Sequence, residues 1–111
     1  MLNIRKWCRD LKIGIGCIVP HYTSGFGGGA KIVLPGIASI ESMWANHHKI
    51  GGRDKPSKGE ILGRLNPSVG VGKVEGNDLR LDMEEAARMA GLDFIINVVP
   101  DLRRENLGVF A

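Results

Sequence analysis

The chain has 111 residues, 43% of them hydrophobic and 24% charged. This is the size and balance of one folded domain or a piece of a larger one, and it argues against two independent cores or a disordered chain. The formal charge of +3 sits at the start, where Arg5, Lys6, Arg9 and Lys12 outnumber Asp10. Residues 1–10 read as a basic leader, and the 99 residues after Lys12 are neutral. A nucleic-acid reader spreads basic and aromatic groups over its folded surface; with aromatics at 5%, this chain does not, and no nucleic-acid partner is expected.

Within the leader, Ile4, Trp7 and Cys8, with Leu11 just beyond it, share helical spacing, as an amphipathic surface turn or an irregular leader would. The apolar stretch from Ile13 to Val19 is too short to span a bilayer, and Lys12 interrupts any secretory core. A cytoplasmic protein without a membrane partner is expected. Cys8 and Cys17 fit neither zinc nor CxxC redox spacing, and Cys17 reads as a small buried hydrophobe.

The run from Leu11 to Val19 predicts a strand buried on both faces, with Gly14 and Gly16 where another backbone comes close and Pro20 ending it. Four glycines follow between Ser24 and Gly29, and then Ala30 to Leu34 predicts a short helical turn broken by Pro35-Gly36. Ile37 to His48 predicts a helix with Ser39 as N-cap and Ile37, Ile40, Trp44 and His47 or His48 on one apolar face. Gly51 to Ser57 reads as a loop, and residues 58–76 as a second irregular crossing. Asp82 followed by Glu85 predicts a helix start, with Met83, Ala86, Ala87 and Ala90 buried and Gly91 as the stop. Asp93 to Val99 predicts another buried strand closed by Pro100, and Leu107 to Phe110 the start of one more. The alternation implies an α/β fold: a small sheet of buried, parallel strands with flanking helices, as a fragment of a larger α/β domain.

Chemistry is expected around the glycine loop Gly25-Phe26-Gly27-Gly28-Gly29-Ala30-Lys31. The loop is neither a Walker motif, which needs Gly-Lys-Ser/Thr, nor a GxGxxG fingerprint. It follows a strand at its carboxyl end, where α/β folds hold ligands, and it is flanked by His21 and Lys31. A lysine at a helix start, partly desolvated, would be a nucleophile toward a carbonyl; a lysine pointing into water is the alternative. His21 fits a general base or a histidine bonded to a carbonyl, and His47 and His48 fit a pair closing a helix. All three histidines fall between positions 21 and 48.

The order Pro20-His21, Gly25-Phe26, Gly28-Gly29-Ala30-Lys31, Leu34-Pro35-Gly36-Ile37 and Asn46-His47 closely resembles the nickel-dependent lactate racemase family, whose pattern is PH, GF-x-GG-x-K, LPGI and NH. Gly76-Asn77, Asp82-Met83 and the strand from Asp93 extend the likeness, so residues 11–111 resemble that family's cofactor-binding segment. The resemblance implies an isomerase acting on a small 2-hydroxy acid, inverting C2 by hydride transfer. It implies a nickel-pincer nucleotide (pyridinium-3-thioamide-5-thiocarboxylic acid mononucleotide nickel) covalently attached through Lys31. It implies His47 as the nickel ligand, His21 as the acid/base, and Gly27, Gly28 and Gly29 as backbone that lets the cofactor approach. Gly27 and Ala30 stand where serine and arginine are frequent in the family. The family's Asp-x-Thr-Arg-Pro stretch and second catalytic histidine are absent from this chain, so the missing parts of the parent enzyme are expected partners. A second reading is a non-catalytic nucleotide or anion-binding module.

Overall fold

The computed structural model describes residues 11–51, 66–103, 105 and 107–111. The basic leader, the loop beyond Gly51 and the first part of the second crossing lie outside the described residues.

Strand β1 (Ile13–Cys17) lies parallel to β5 (Phe94–Pro100), with Ile13 opposite Phe94 and Cys17 opposite Val98. A parallel neighbour requires a long crossover, and helix α2 (Asp78–Ala90) lies within it. Strand β6 (Leu107–Phe110) then returns antiparallel on β5, giving the sheet order β1-β5-β6. A second small sheet joins β2 (Pro20–His21), β3 (Ser24–Phe26) and β4 (Gly70–Val71). There β2–β3 is antiparallel and β3–β4 parallel. The fold is α/β as expected, with mixed rather than purely parallel sheets.

The glycines of β1 are explained by what packs on them. A Cβ on Gly14 would stand 3.0 Å from the Ile32 side chain, and one on Gly16 would stand 3.0 Å from the Gly28 backbone and 3.1 Å from Ile32. Bare backbone on that face lets the 3₁₀ turn Gly29–Ile32 lie flat on the strand and brings Lys31 to the strand's end. The core forms where this turn meets α2: Ala30, Val33 and Leu34 pack with Val69, Leu79, Met83, Ala86 and Ala87. Leu79 and Met83 are fully buried, each worth about 1.5–3 kcal/mol relative to exposure.

Four expectations are corrected. The strands are not buried on both faces: Ile13 and Ile15 are exposed, Ile15 by 71%. The described helix and turn cover the glycine face of β1, and an apolar side chain in a strand does not say whether a second layer lies above it. Cys17, on the same open face as Ile13 and Ile15, is exposed rather than buried. The helix after Ser39 is α1 (Ile40–Trp44), capped as expected by Ser39 Oγ accepting from the Ser42 amide at 3.3 Å. It widens into a π-helical stretch, Ala45–Ile50, and its apolar stripe faces outward, with Ile40 69% and Trp44 58% exposed.

The fourth correction concerns α2, which begins a turn earlier than Asp82 suggests. Its cap is Asn77, whose Oδ1 accepts from the Arg80 amide at 3.1 Å, and Asp82 lies inside the helix. Both residue types cap helices, so local pattern could not choose between them. What decides is burial, since Leu79 belongs to the core and must be helical to reach it. The far end is as expected, with Gly91 left-handed at φ 65°.

Candidate functional site

His21 ends β2 and turns its ring back over the following residues. Its Nδ1 accepts from the Thr23 amide at 3.4 Å and the Ser24 amide at 3.3 Å, and the Thr23 hydroxyl lies 3.3 Å away. Tyr22 stacks on the ring at 4.9 Å. Amides only donate, so they assign Nδ1 as an acceptor and put the neutral ring's proton on Nε2. That nitrogen faces Lys31 Nζ at 3.2 Å. With the ring in this tautomer Nε2–H donates to Lys31, which accepts only as the free amine.

Electrostatics push the same way. Lys31 is held below its ordinary 10.5, first by burial and then by the Arg80 guanidinium. His21 is held below 6.5 by burial, then by the charges of Lys31 and His47. The causes that disfavour the lysine's charge are desolvation and a second cation rather than a helix end. A single 3₁₀ turn has little dipole to offer.

His47 sits in the widened stretch after α1. Its Nδ1–H donates to the Met43 carbonyl at 3.2 Å, which fixes the ring and leaves the Nε2 lone pair for a metal. Burial holds His47 below 6.5 against the raising effect of that carbonyl, and Lys31 and His48 lower it further. Lys31 thus acts on both His21 and His47, while His48 is exposed and stacks on Trp44 at 3.6 Å. Asn46 anchors His47 from below, donating to the Leu79 carbonyl at 3.2 Å and Asp82 at 2.7 Å. That is the work Asp82 does in place of capping. Among the described residues no group of three or more His, Cys, Asp or Glu could hold a metal ion. A metal at His47 would need further donors from elsewhere.

The glycine loop is held from behind. The Gly29 amide donates to Asn97 Oδ1 at 3.1 Å and the Gly27 amide to the Val19 carbonyl at 2.7 Å. A Cβ on Gly27 would meet the Cys17 carbonyl at 3.1 Å, so its smallness serves packing on the end of β1.

Residues 2–59 match the lactate racemase N-terminal domain family. The chain belongs to this family. It is 42% identical over 102 residues to the lactate racemase of Lactiplantibacillus plantarum, covering 92% of this chain and 21% of the relative. It is 39% identical over the same length to that of Thermoanaerobacterium thermosaccharolyticum. The solved lactate racemase apoprotein from the latter organism superimposes with a TM-score of 0.73 at 36% identity, over 92% of this chain and 22% of that one. The chain thus spans about a fifth of the length of the relatives it matches.

Sequence reasoning missed Arg80 and Asn97. Arg80 stands in the first turn of α2, where the helix end disfavours a cation, and that misplacement was the available signal. Its Nε donates to Glu84 at 3.1 Å and its Nη1 to the Ser24 carbonyl at 3.4 Å. Asn97 lies in an apolar strand, a polar group in a place where only a specific partner explains it.

The depressed imidazoles set the pH dependence of stability. A base whose folded pKa lies below its unfolded value costs nothing above the unfolded value, and the penalty grows as pH falls through it. The melting temperature is therefore expected to fall as pH drops below 6.5, and a His21→Gln, His47→Gln double variant should flatten that fall. An unchanged slope in the double variant would remove these two residues as its source.

Proposed function

We propose that this chain is the cofactor-bearing segment of a nickel-pincer-nucleotide-dependent 2-hydroxyacid racemase acting on lactate or a close analogue in the cytoplasm. The reading is carried by one observation: a lysine amine 3.2 Å from a histidine Nε2, beside a second histidine with a free Nε2, in a chain of the lactate racemase family. The residues fit the group. His47 would offer one neutral imidazole donor, which suits nickel whose other donors come from an organic ligand. Lys31 offers an amine kept uncharged for attachment.

When bound, the nucleotide supplies a nickel-bearing ring able to take the C2 hydride of a 2-hydroxy acid and give it back. Lys31 Nζ tethers it, and His47 orients the metal through the ring fixed on Met43. His21 moves the hydroxyl proton at Nε2. The Thr23 and Ser24 amides keep Nδ1 an acceptor, so the ring's exchangeable proton is the one on Nε2, facing Lys31. One histidine serves one face of the substrate, so the second proton shuttle and the substrate's carboxylate clamp come from the missing parts of the parent enzyme.

The test is a chimaera in which residues 11–111 replace the matching fifth of the L. plantarum relative, loaded with cofactor and nickel. A covalent adduct on Lys31 by intact mass and lactate racemisation are expected. Lys31→Arg should remove both, His47→Ala should release nickel, and His21→Ala should slow racemisation by about 10²–10⁴-fold. A loaded chimaera without an adduct defeats the reading. Mononucleotide binding that survives Lys31→Ala and His47→Ala would favour the binding-module alternative, which the Arg80 guanidinium turned toward Gly29 supports.

A further inference from the structure

We propose that Arg80 holds the phosphate monoester of the bound nucleotide over the glycine turn beside Lys31. The proposal rests on the nucleotide reading above and extends it to a residue outside the histidine–lysine set. Three observations converge on it.

The guanidinium is pinned at its stem side and open at its tip. Glu84 takes Nε at 3.1 Å and the Ser24 carbonyl takes Nη1 at 3.4 Å, while Nη2 has no acceptor among the described residues. That open nitrogen is aimed at the turn, since a Cβ on Gly29 would stand 3.5 Å from it and meet no other atom within 4 Å. Nη2 is thus the side-chain group that a ligand lying over Gly29 would meet. The side chain is mostly buried, at 19% exposure, so this is a placed cation and not a solvated one.

The fixed charge at this spot is Arg80's own. Glu84 is the carboxylate bonded to it, and it is already used on Nε. A phosphate accepting from the open Nη2 would complete the guanidinium fork with a further charge-assisted hydrogen bond, beside a lysine whose own charge burial and Arg80 disfavour.

Calorimetric titration of the 111-residue chain tests this with four probes: nicotinic acid mononucleotide, its phosphate-free nucleoside, inorganic phosphate and lactate. Arg80→Met keeps the stem and removes the charge, and the Asn77 cap survives because it uses only the residue's backbone amide. The expected result is a loss of about tenfold or more for mononucleotide and phosphate in Arg80→Met, partial recovery in Arg80→Lys, and unchanged nucleoside binding. Equal mononucleotide affinity in wild type and Arg80→Met overturns the Arg80 assignment and leaves the nucleotide reading standing. Arg80-dependent phosphate binding with no gain from the nucleoside part does the reverse. Arg80-dependent lactate binding makes this a carboxylate clamp and overturns the proposal, as does a wild-type chain that binds none of the four.

Discussion

Asn77→Ala lowers folding stability by about 2–4 kcal/mol, seen as a melting temperature roughly 10 °C lower in a chain of this size. The residue is fully buried and holds three segments at once. Its Oδ1 caps α2 through the Arg80 amide, and its Nδ2 donates to the Thr23 carbonyl at 2.7 Å and the Lys73 carbonyl at 2.8 Å. Alanine removes the cap and the donor to the Lys73 carbonyl, and it leaves the Thr23 carbonyl with the Gly70 amide at 3.1 Å alone. Asn77→Asp separates the contributions, because it keeps the capping oxygen but sets a second oxygen against those carbonyls. It is expected to be at least as damaging as alanine. Thermal and urea unfolding of both variants checks this, and a loss under about 0.5 kcal/mol, typical of an uninvolved surface site, would refute the role. Thr23 adjoins His21, so the same variant should also loosen the His21–Lys31 pair.

Gly28→Ala is the second large effect, and it should damage both fold and site. Gly28 has φ +69°, and an added Cβ would lie 2.8 Å from Asn97 Oδ1 and 3.1 Å from the Cys17 carbonyl. The left-handed backbone alone costs about 1–3 kcal/mol for a residue with a side chain. The contact with Asn97 also pushes away the acceptor that holds the Gly29 amide, so loss of mononucleotide binding is expected along with destabilisation. Gly29→Ala is the control. Its φ of +54° carries the same kind of strain, but its Cβ would meet only the movable tip of Arg80. Stability and nucleotide affinity should both rank wild type above Gly29→Ala, and Gly29→Ala above Gly28→Ala. Equal losses in the two variants would mean that packing against Asn97 is not what fixes the turn.

These two residues also mark where reading the chain in one dimension stops. Gly27 and Gly28 stood out as glycines, and a need for bare backbone was legible. The reason was not, because a ligand's approach and a neighbouring strand's approach leave the same residue in the sequence. The packing on Cys17 and Asn97 decides for the strand. Asn77 and Asp82 present a similar tie: each is a good cap on local grounds, and only the demand that Leu79 enter the core separates them. Arg80 was passed over because a helix read as starting at Asp82 leaves it outside, and its misplacement in the first turn shows only once Asn77 is the cap.

Local chemistry along the chain was enough for β1, the helix after Ser39, α2, β5 and β6, with the Ser39 cap and the Gly91 stop, since each depends on residue type and spacing over a few positions; the small sheet of β2, β3 and β4 was not legible in it, and the choice of His21, Lys31 and His47 came from the family resemblance. Which faces are covered, whether Asn77 or Asp82 caps α2, and that Lys31 lies against His21 where burial and Arg80 disfavour its charge follow from segments distant in sequence being pressed together. Burial and charge–charge repulsion are properties of that assembled volume, and no single stretch of sequence contains them.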